Sequence, residues 1–488
     1  MKDSRLTYGF LVVLTLISFR CKSQEKTLST PNVIYINIDD LGWKDVGFMG
    51  SDLFETPNMD ELAANGMTFT QGYAAAANCA PSRACLMSGQ NTPRHGVYTV
   101  GESERGHEKT RKLIPIKNTE HLTDGIFTMA DLFKKAGYTT ATFGKWHITH
   151  DPLQNGFDVN FGGDKRGNPG DKGYTAPYNE LPNLKVAPNG ENLTDRLTDE
   201  CITFINDNNT KPLFIYLPFY AVHTPLMGKE PLIAKYKEKI GKTEKLNKKE
   251  YNKAVYAAMV ENVDTNIGRL LKTLDRLQLI ENTLMVLTSD NGGIRAISGQ
   301  DPLRAGKGSY YEGGTRVPYI VKWANYIKGG TTNTTPISNL DFLPTFAKLV
   351  NIDVSDKVLD GVNILPLLKE EPIADRNLYW HFPVYLQAYS KGKDGGRDPL
   401  FRTRPGSTIL MDNWKLHHYF EDDSLELYNL NNDLGEQNNL MATHPKKAEE
   451  LFQKLHMWRT KLNAPIPDQM NPSYDAQFEL KEIKKYAK

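Results

Sequence analysis

Four apolar runs in this chain each lead into a group of polar residues, and that pattern restricts the fold more than any other feature. Val33–Ile38 (VIYINI) runs into Asp39 and Asp40, and Thr139–Phe143 runs into Gly144, Lys145, Trp146 and His147. Leu213–Leu217 (LFIYL) leads toward His223, and Leu284–Leu287 (LMVL) into Asp290 and Asn291. Continuous apolar runs of this length suit strands covered on both faces. Helical periodicity lies between them. Met129, Leu132, Phe133 and Ala136 share one face, closed by Gly137. Met259, Val263, Ile267, Leu270, Leu271 and Leu274 form a longer stripe. The alternation predicts an α/β fold, a large mixed sheet sandwiched by helices. Ligands in such folds gather at the carboxyl ends of strands, where the polar groups stand.

The pattern changes near Arg376. Short strand-like pieces (NLYWHF, STILMDNWKLHHYF, LELYNL) precede a helix predicted over Pro445–Leu462. We expect a main domain over residues 27–375 and a smaller C-terminal subdomain, an antiparallel sheet plus helix, over 376–488. Gly101–Gly125, Gly162–Asn183 and Ser390–Gly406 read as long loops, a class that is usually functional or mobile.

Residues 1–26 read as a processing leader. Lys2 and Arg5 precede the apolar stretch Tyr8–Phe19, which has the length of a signal-peptide core and is too short to span a bilayer. No later run approaches a transmembrane length, so no transmembrane helix is expected. Export to the periplasm or cell surface is. Cys21 stands where a lipoprotein cysteine would, but Phe19 and Arg20 replace the small residues usual before one. A lipid anchor at Cys21 and a free chain both stay open. The 59 basic and 58 acidic residues leave a formal net charge of +1, so no global field points to nucleic acid. With Cys21 in the leader, Cys79, Cys85 and Cys201 remain. An odd count in an oxidising compartment needs a cause, and chemical use of Cys79 would supply one.

Cys79-Ala80-Pro81-Ser82-Arg83 carries the most specific signal. Pro81 suits the first turn of a helix, which puts Cys79 just ahead of a helix N-terminus that favours anions. Read alone, this is a small buried cysteine before an ordinary helix. Asp39, Asp40, Asp290 and Asn291 offer hard oxygen ligands without sulfur or imidazole, a set suited to Ca²⁺ or Mg²⁺ rather than zinc. Asp39 and Asp40 alone would read as helix caps or turn residues, and the Asp-Asn pair after a second strand shifts that balance.

Together these segments resemble the type I, formylglycine-dependent sulfatases of the alkaline phosphatase-like superfamily. Cys79–Gly89 is similar to the family motif Cys-x-Pro-Ser-Arg followed by Leu-x-Thr-Gly, with Ser88 replacing the threonine. Gly137–His147 resembles the second motif, with Phe143 bulkier than usual. Asn32–Gly42 and Ser289–Gly293 resemble the metal-binding start and finish, and the likeness extends from Pro31 to about Leu440. The resemblance implies that a maturation enzyme oxidises Cys79 to formylglycine. One oxygen of its hydrate would ligate calcium, with Asp39, Asp40, Asp290 and Asn291, and attack sulfur. Loss of a proton from the other hydroxyl would then expel sulfate. Arg83, Lys145 and Lys307 would stabilise the sulfate charge. His147 would assist the formylglycine hydroxyls, and His223, in AVHTP, would protonate the leaving oxygen.

The resemblance extends to secreted bacterial polysaccharide sulfatases, so a sulfated glycan is the expected partner, with algal polymers such as ulvan or carrageenan as candidates. His381, Arg402 and Arg404 are candidate sugar contacts beside Lys145, His223 and Lys307. Ordinary surface arginines and a packed histidine are the competing reading. Two alternatives stand beside the sulfatase: a phosphate mono- or diester or phosphonate hydrolase of the same superfamily, and a non-catalytic carbohydrate-binding surface protein.

Overall fold

The computed structural model describes residues 30–178, 180–184, 188–241 and 246–486. The expected leader and Cys21 lie outside the described residues. Ten strands precede residue 340: β1 (Asn32–Ile38), β2 (Met67–Phe69), β3 (Gly72–Tyr73), β4 (Thr139–Phe143), β5 (Val159–Phe161), β6 (Leu213–Phe219), β7 (Thr283–Ser289), β8 (Tyr319–Lys322), β9 (Thr331–Asn333) and β10 (Ile337–Ser338). Eight of them form one sheet in the order β5-β4-β6-β1-β7-β8-β2-β9. Pairing is parallel from β5 through β7. It turns antiparallel on both sides of β8 and parallel again between β2 and β9, so the sheet is mixed.

The four runs picked out in the sequence are β4, β6, β1 and β7, neighbours at the centre of the sheet. Every residue of β1, β6 and β7 is buried. Alternate residues of β1 feed two different cores. Ile34, Ile36 and Ile38 pack with Val260, Val263 and Ile267. Val33 and Tyr35 pack with Met129, Leu132 and Phe133. The helices behind those cores follow their sequence stripes. Met129–Lys135 starts on a Thr128/Asp131 capping box, and Lys248–Arg276 on an Asn247/Glu250 box.

The C-terminal part opens with β11 (Leu378–Phe382) and the short pair β12 (Leu386–Gln387) and β13 (Phe401–Thr403). It continues through β14 (Gly406–Met411), β15 (Trp414–Tyr419) and β16 (Ser424–Asn429). Strands β11, β14, β15 and β16 form a four-stranded antiparallel sheet. Residues Asp412 and Asn413 split the long apolar segment into two strands. Both have positive φ, which suits a two-residue hairpin loop whose twist matches the strands. Helix Pro445–Leu462 covers one face through Leu451, Leu455 and Trp458. Two details differ from the sequence reading. Strand β13 lies inside the expected loop Ser390–Gly406, and a further helix, Ala476–Tyr486, follows where no element was foreseen. That helix has no buried residue, so its sequence lacked a core signal.

A second feature joins the two parts. Lys415 Nζ lies 2.8 Å from Glu312 Oε1 and 3.6 Å from Glu436 Oε1, and all three side chains are fully buried. Arg316 and the Tyr73 hydroxyl also bond Glu312, and His417 bonds Glu436. Burial and the nearby Glu312 raise the Glu436 carboxyl to about 7, against the pull of Lys415. Removing one member of such a cluster leaves uncompensated buried charge. Lys415→Met should therefore cost about 3–5 kcal/mol, the scale for breaking a buried ion pair. Thermal unfolding of the variant checks it, and an unchanged Tm would show that the cluster contributes nothing to the union of the two parts.

Candidate active site

Because β4, β6, β1 and β7 are parallel neighbours, their carboxyl ends open on one edge of the sheet. That edge collects Asp39 and Asp40 after β1, Lys145 and His147 after β4, His223 after β6, and Asp290 and Asn291 after β7. Two further elements reach it. Helix Cys79–Ser88 brings Cys79 and Arg83, and the loop before helix Glu312–Thr315 brings Lys307. Cys79 is the first residue of its helix, with Asn78 as N-cap, rather than lying ahead of it as the sequence suggested. Pro81 still falls within the first turn.

The centre is a buried lattice of opposite charges. Lys145 Nζ lies 2.5 Å from Asp39 Oδ2, and Arg83 Nε lies 2.8 Å from Asp290 Oδ2. Lys307 Nζ lies 2.7 Å from Asp40 Oδ1, which also accepts from Asn291 Nδ2 at 2.7 Å. Ligand atoms of Asp39, Cys79 and Asp290 all lie within 4.8 Å of one another. Cys79, Cys85 and Cys201 are all free and buried. Local backbone geometry serves this cluster. Asp40 and His147 both hold positive φ. At Gly144 the chain passes so close to the Pro218 carbonyl that a Cβ would collide with it, and the Lys145 amide donates to that same carbonyl at 2.7 Å.

The protonation pattern follows from burial and sign. Burial, then the neighbouring Asp290, push the Asp39 carboxyl up to about 8. Burial opposes ionisation of Asp40 and Asp290 as well, but Lys307 and Arg83 respectively hold them below the usual carboxylate range. His147 is held well below its ordinary value by burial and then by Lys145. His223 is lowered to about 3 by burial and then by Lys307. Its Nδ1 sits 2.6 Å from the Thr224 carbonyl, which can only accept, so Nδ1 carries the proton and Nε2 is left toward Asp40, 3.8 Å away.

Several buried polar atoms have no hydrogen-bond partner among the described residues: Asp39 Oδ1, Asn291 Oδ1, Arg83 Nη2 and His147 Nδ1. Arg83 Nη2 and Asp39 Oδ1 face each other only as a long ion pair of 3.9 Å, and buried polar groups left without hydrogen bonds suit a ligand. The two orphan oxygens, with Asp40, Asp290 and residue 79, could hold a hard divalent cation.

The remaining candidates separate. Arg402 reaches the site's edge, its Nη1 donating to the Lys307 carbonyl at 3.3 Å. His381 does not reach it. It is 1 % exposed, with its ring between Ser407 Oγ and the Pro465 carbonyl. Arg404 is likewise internal, bonded to Asp398, Glu421 and Glu479. Both hold the C-terminal subdomain together, because side chains with a full set of internal partners have no donor left for a sugar. Asp45 and Tyr174 were missed. Asp45 accepts from Gly42 N, Tyr256 Oη, Ser298 Oγ and Gly299 N, tying the loop after β1 to the loop after β7. Tyr174 Oη lies 2.6 Å from the Tyr220 carbonyl and 2.8 Å from that of His223. Asp45 stands five residues beyond Asp40 in the same turn, which is the one signal that could have found it. Tyr174 lies in a loop and had none.

Comparison with known proteins fits this geometry. The sulfatase family profile matches residues 31–352, and an N-sulphoglucosamine sulphohydrolase C-terminal profile matches residues 306–464. A sulfatase of Formosa agariphila is 34% identical over 99% of this chain and 98% of its own length. The N-acetylgalactosamine-6-sulfatase of Rattus norvegicus is 32% identical over 74% of this chain and 70% of its own. The crystal structure of Ps i-CgsB in complex with k-i-k-neocarrahexaose superposes with a TM-score of 0.72 at 28% identity, covering 94% of this chain and 98% of that one. The chain belongs to the type I sulfatase family of the alkaline phosphatase-like superfamily, and it is a sulfuric ester hydrolase.

Proposed function

We propose that this enzyme removes sulfate esters from an algal polysaccharide or its oligosaccharides, with residue 79 as the nucleophile in its formylglycine form. Residues 27–375 carry the chemistry, and 376–488 border the approach to it. The observation that carries the reading is the placement of Cys79, unpaired at a helix N-terminus, among carboxylates and cations that the sheet brings to one edge. The substrate class rests on the relatives, one crystallised with a neocarrahexaose and another named for N-acetylgalactosamine 6-sulfate. Export of the enzyme to the periplasm or cell surface fits a polymer too large to enter the cell. Among the described residues no helix is long and apolar enough to cross a membrane. Cys79 is only 3 % exposed, so a maturation enzyme must reach it before the chain closes.

The oxygens of Asp39 and Asn291 that lack hydrogen bonds fit a hard dication, in a site completed by Asp40, Asp290 and residue 79, and the family resemblance favours Ca²⁺ over Mg²⁺. A dication there would lower the pKa of a residue-79 hydroxyl and keep Asp39 ionised despite its burial. Arg83, Lys145 and Lys307 hold the sulfate and meet the charge that spreads over its oxygens as the ester bond breaks. Arg83 Nη2 makes no hydrogen bond, only a long 3.9 Å ion pair with Asp39 Oδ1, and is available for that contact. His147 is neutral, with a free Nδ1, and can take a proton from residue 79 during sulfate release. His223 must give a proton to the departing sugar oxygen. With Nδ1 committed to Thr224, only the imidazolium carries a proton on Nε2. The bound sulfate anion is what favours that charged form, since the free site suppresses it.

Three outcomes test this reading. Mass spectrometry of the residue-79 peptide should find the aldehyde or its hydrate, and Cys79→Ala should be inactive. Full activity of that variant would remove the nucleophile. Calcium should raise Tm and chelation reverse the gain, by about 2.7 kcal/mol at a hundredfold excess over Kd. Asp290→Ala should abolish both the shift and turnover. A shift that survives the substitution places the ion elsewhere. His223→Ala should slow hydrolysis of a sugar sulfate by roughly 10²–10⁴-fold and of an activated aryl sulfate far less, because a good leaving group needs little acid help. Equal losses on both substrates, with chemistry rate-limiting, would refute the acid role.

A further inference from the structure

A second cationic cluster adjoins the catalytic one, on the short β12–β13 pair of the C-terminal part. Arg402, in β13, is 5 % exposed. Its Nε donates to the Gln387 carbonyl at 3.0 Å, and its Nη1 to the Lys307 carbonyl at 3.3 Å. The guanidinium carbon lies 3.5 Å from the centre of the Tyr389 ring, and Tyr389 is 52 % exposed. Arg105, from the Gly101–Gly125 loop, donates to the Gln387 side-chain oxygen at 3.0 Å and to the Val100 carbonyl at 3.1 Å. Two guanidinium groups thus flank one glutamine.

What distinguishes this pair is how little counter-charge it meets directly. Neither arginine makes an ion pair with a carboxylate among the described residues, whereas Arg404, two positions on, makes three. Asp394 is the acid that faces Arg402, but its oxygens already accept from the Tyr389 and Ser390 amides. Burial, with Arg105 adding to it, lowers the Arg402 pKa, and the facing Tyr389 and Asp394 offset this only in part. A buried charge is costly unless paired and hydrogen-bonded. The backbone also makes room for it. Gly308 has φ +86°, and a Cβ there would come within 2.9 Å of Arg402 Nη1.

A single residue links this cluster to the catalytic one. Lys307 bonds Arg402 through its carbonyl and Asp40 through its Nζ, so one lysine side chain separates the two sites. Both sites thus lie within reach of one oligosaccharide. We propose that Arg402, Arg105 and Tyr389 form a subsite for a second anionic group of the same glycan. The planar guanidinium forks match the paired oxygens of a sulfate or a carboxylate. The preferred substrate is then a saccharide with two anionic groups, not a singly sulfated sugar. This inference rests on the sulfatase reading above.

The test compares kcat/KM for three defined disaccharides: one with a single sulfate, one with two, and one with a sulfate and a uronate. The wild-type enzyme should prefer a doubly anionic substrate at least tenfold, and the arm that gains tells sulfate from carboxylate. Arg402→Gln and, separately, the more exposed Arg105→Gln should each lower the ratio of doubly to singly anionic turnover several-fold, mainly through KM. Arg402→Lys keeps the charge without the fork and should recover part of the ratio. Added salt should erode the preference. A wild type without such a preference, or variants that lose rate equally on all three substrates, overturns the subsite and leaves the sulfatase reading standing. Failure of the wild type to desulfate any of the three, or an aryl sulfate, overturns both.

Discussion

Three buried aspartates that must stay close to one another set the terms for the rest of the active site. Asp39, Asp40 and Asp290 are each no more than 2 % exposed, and at that burial their mutual repulsion has little water to screen it. The fold answers with three cations from three different elements. Arg83 comes from the Cys79 helix, Lys145 from the turn after β4, and Lys307 from the loop near the C-terminal part. Each pairs with a different aspartate, so the balance holds only when all three elements are docked. Asp39 Oδ1 and Asn291 Oδ1 make no hydrogen bond within this balance, and the proposed cation site rests on them.

The central strands make such an arrangement possible. Parallel pairing of β4, β6, β1 and β7 aligns their carboxyl ends, and the nearly complete burial of these strands keeps those ends rigid. A lattice of charges needs that rigidity, because an ion pair in a low-dielectric site is favourable only with good geometry. Asp45 extends the same logic outward by gathering the amides and hydroxyls of two ligand-bearing loops onto one carboxylate. Glu312, Lys415 and Glu436 repeat the device at the junction with the C-terminal sheet. That junction holds the Lys307 loop between the two parts, and thereby ties the surroundings of Cys79 to the C-terminal sheet.

Much of this was legible in the linear chain. The strand β4 and helix Pro445–Leu462 have the bounds that their apolar patterns imply, and the charged residues after the central strands converge as the α/β pattern predicts. Phe143, bulkier than the family usually has, stacks on Phe161 and leaves Lys145 and His147 in the site. The residues chosen on composition alone fared differently. His381 and Arg404 have the right chemistry for a sugar, but the fold surrounds them with internal partners. A histidine or arginine carries the same letters whether it is packed or exposed, so no local pattern could separate them from Arg402.

The sequence by itself determined the fold class, the strand ends that bear the chemistry, and the nucleophile's helix. Those follow from hydrophobic periodicity and from short motifs whose residues are neighbours in the chain. Only the tertiary structure decided which cation pairs with which aspartate, that Asp45 and Tyr174 brace the loops, and that Arg402 and Arg105 meet little direct counter-charge. Most of these depend on contacts between residues far apart in the chain, such as Lys307 with Asp40 and Arg105 with Gln387. Burial and charge compensation are properties of such contacts, and they exist only once the chain has closed on itself.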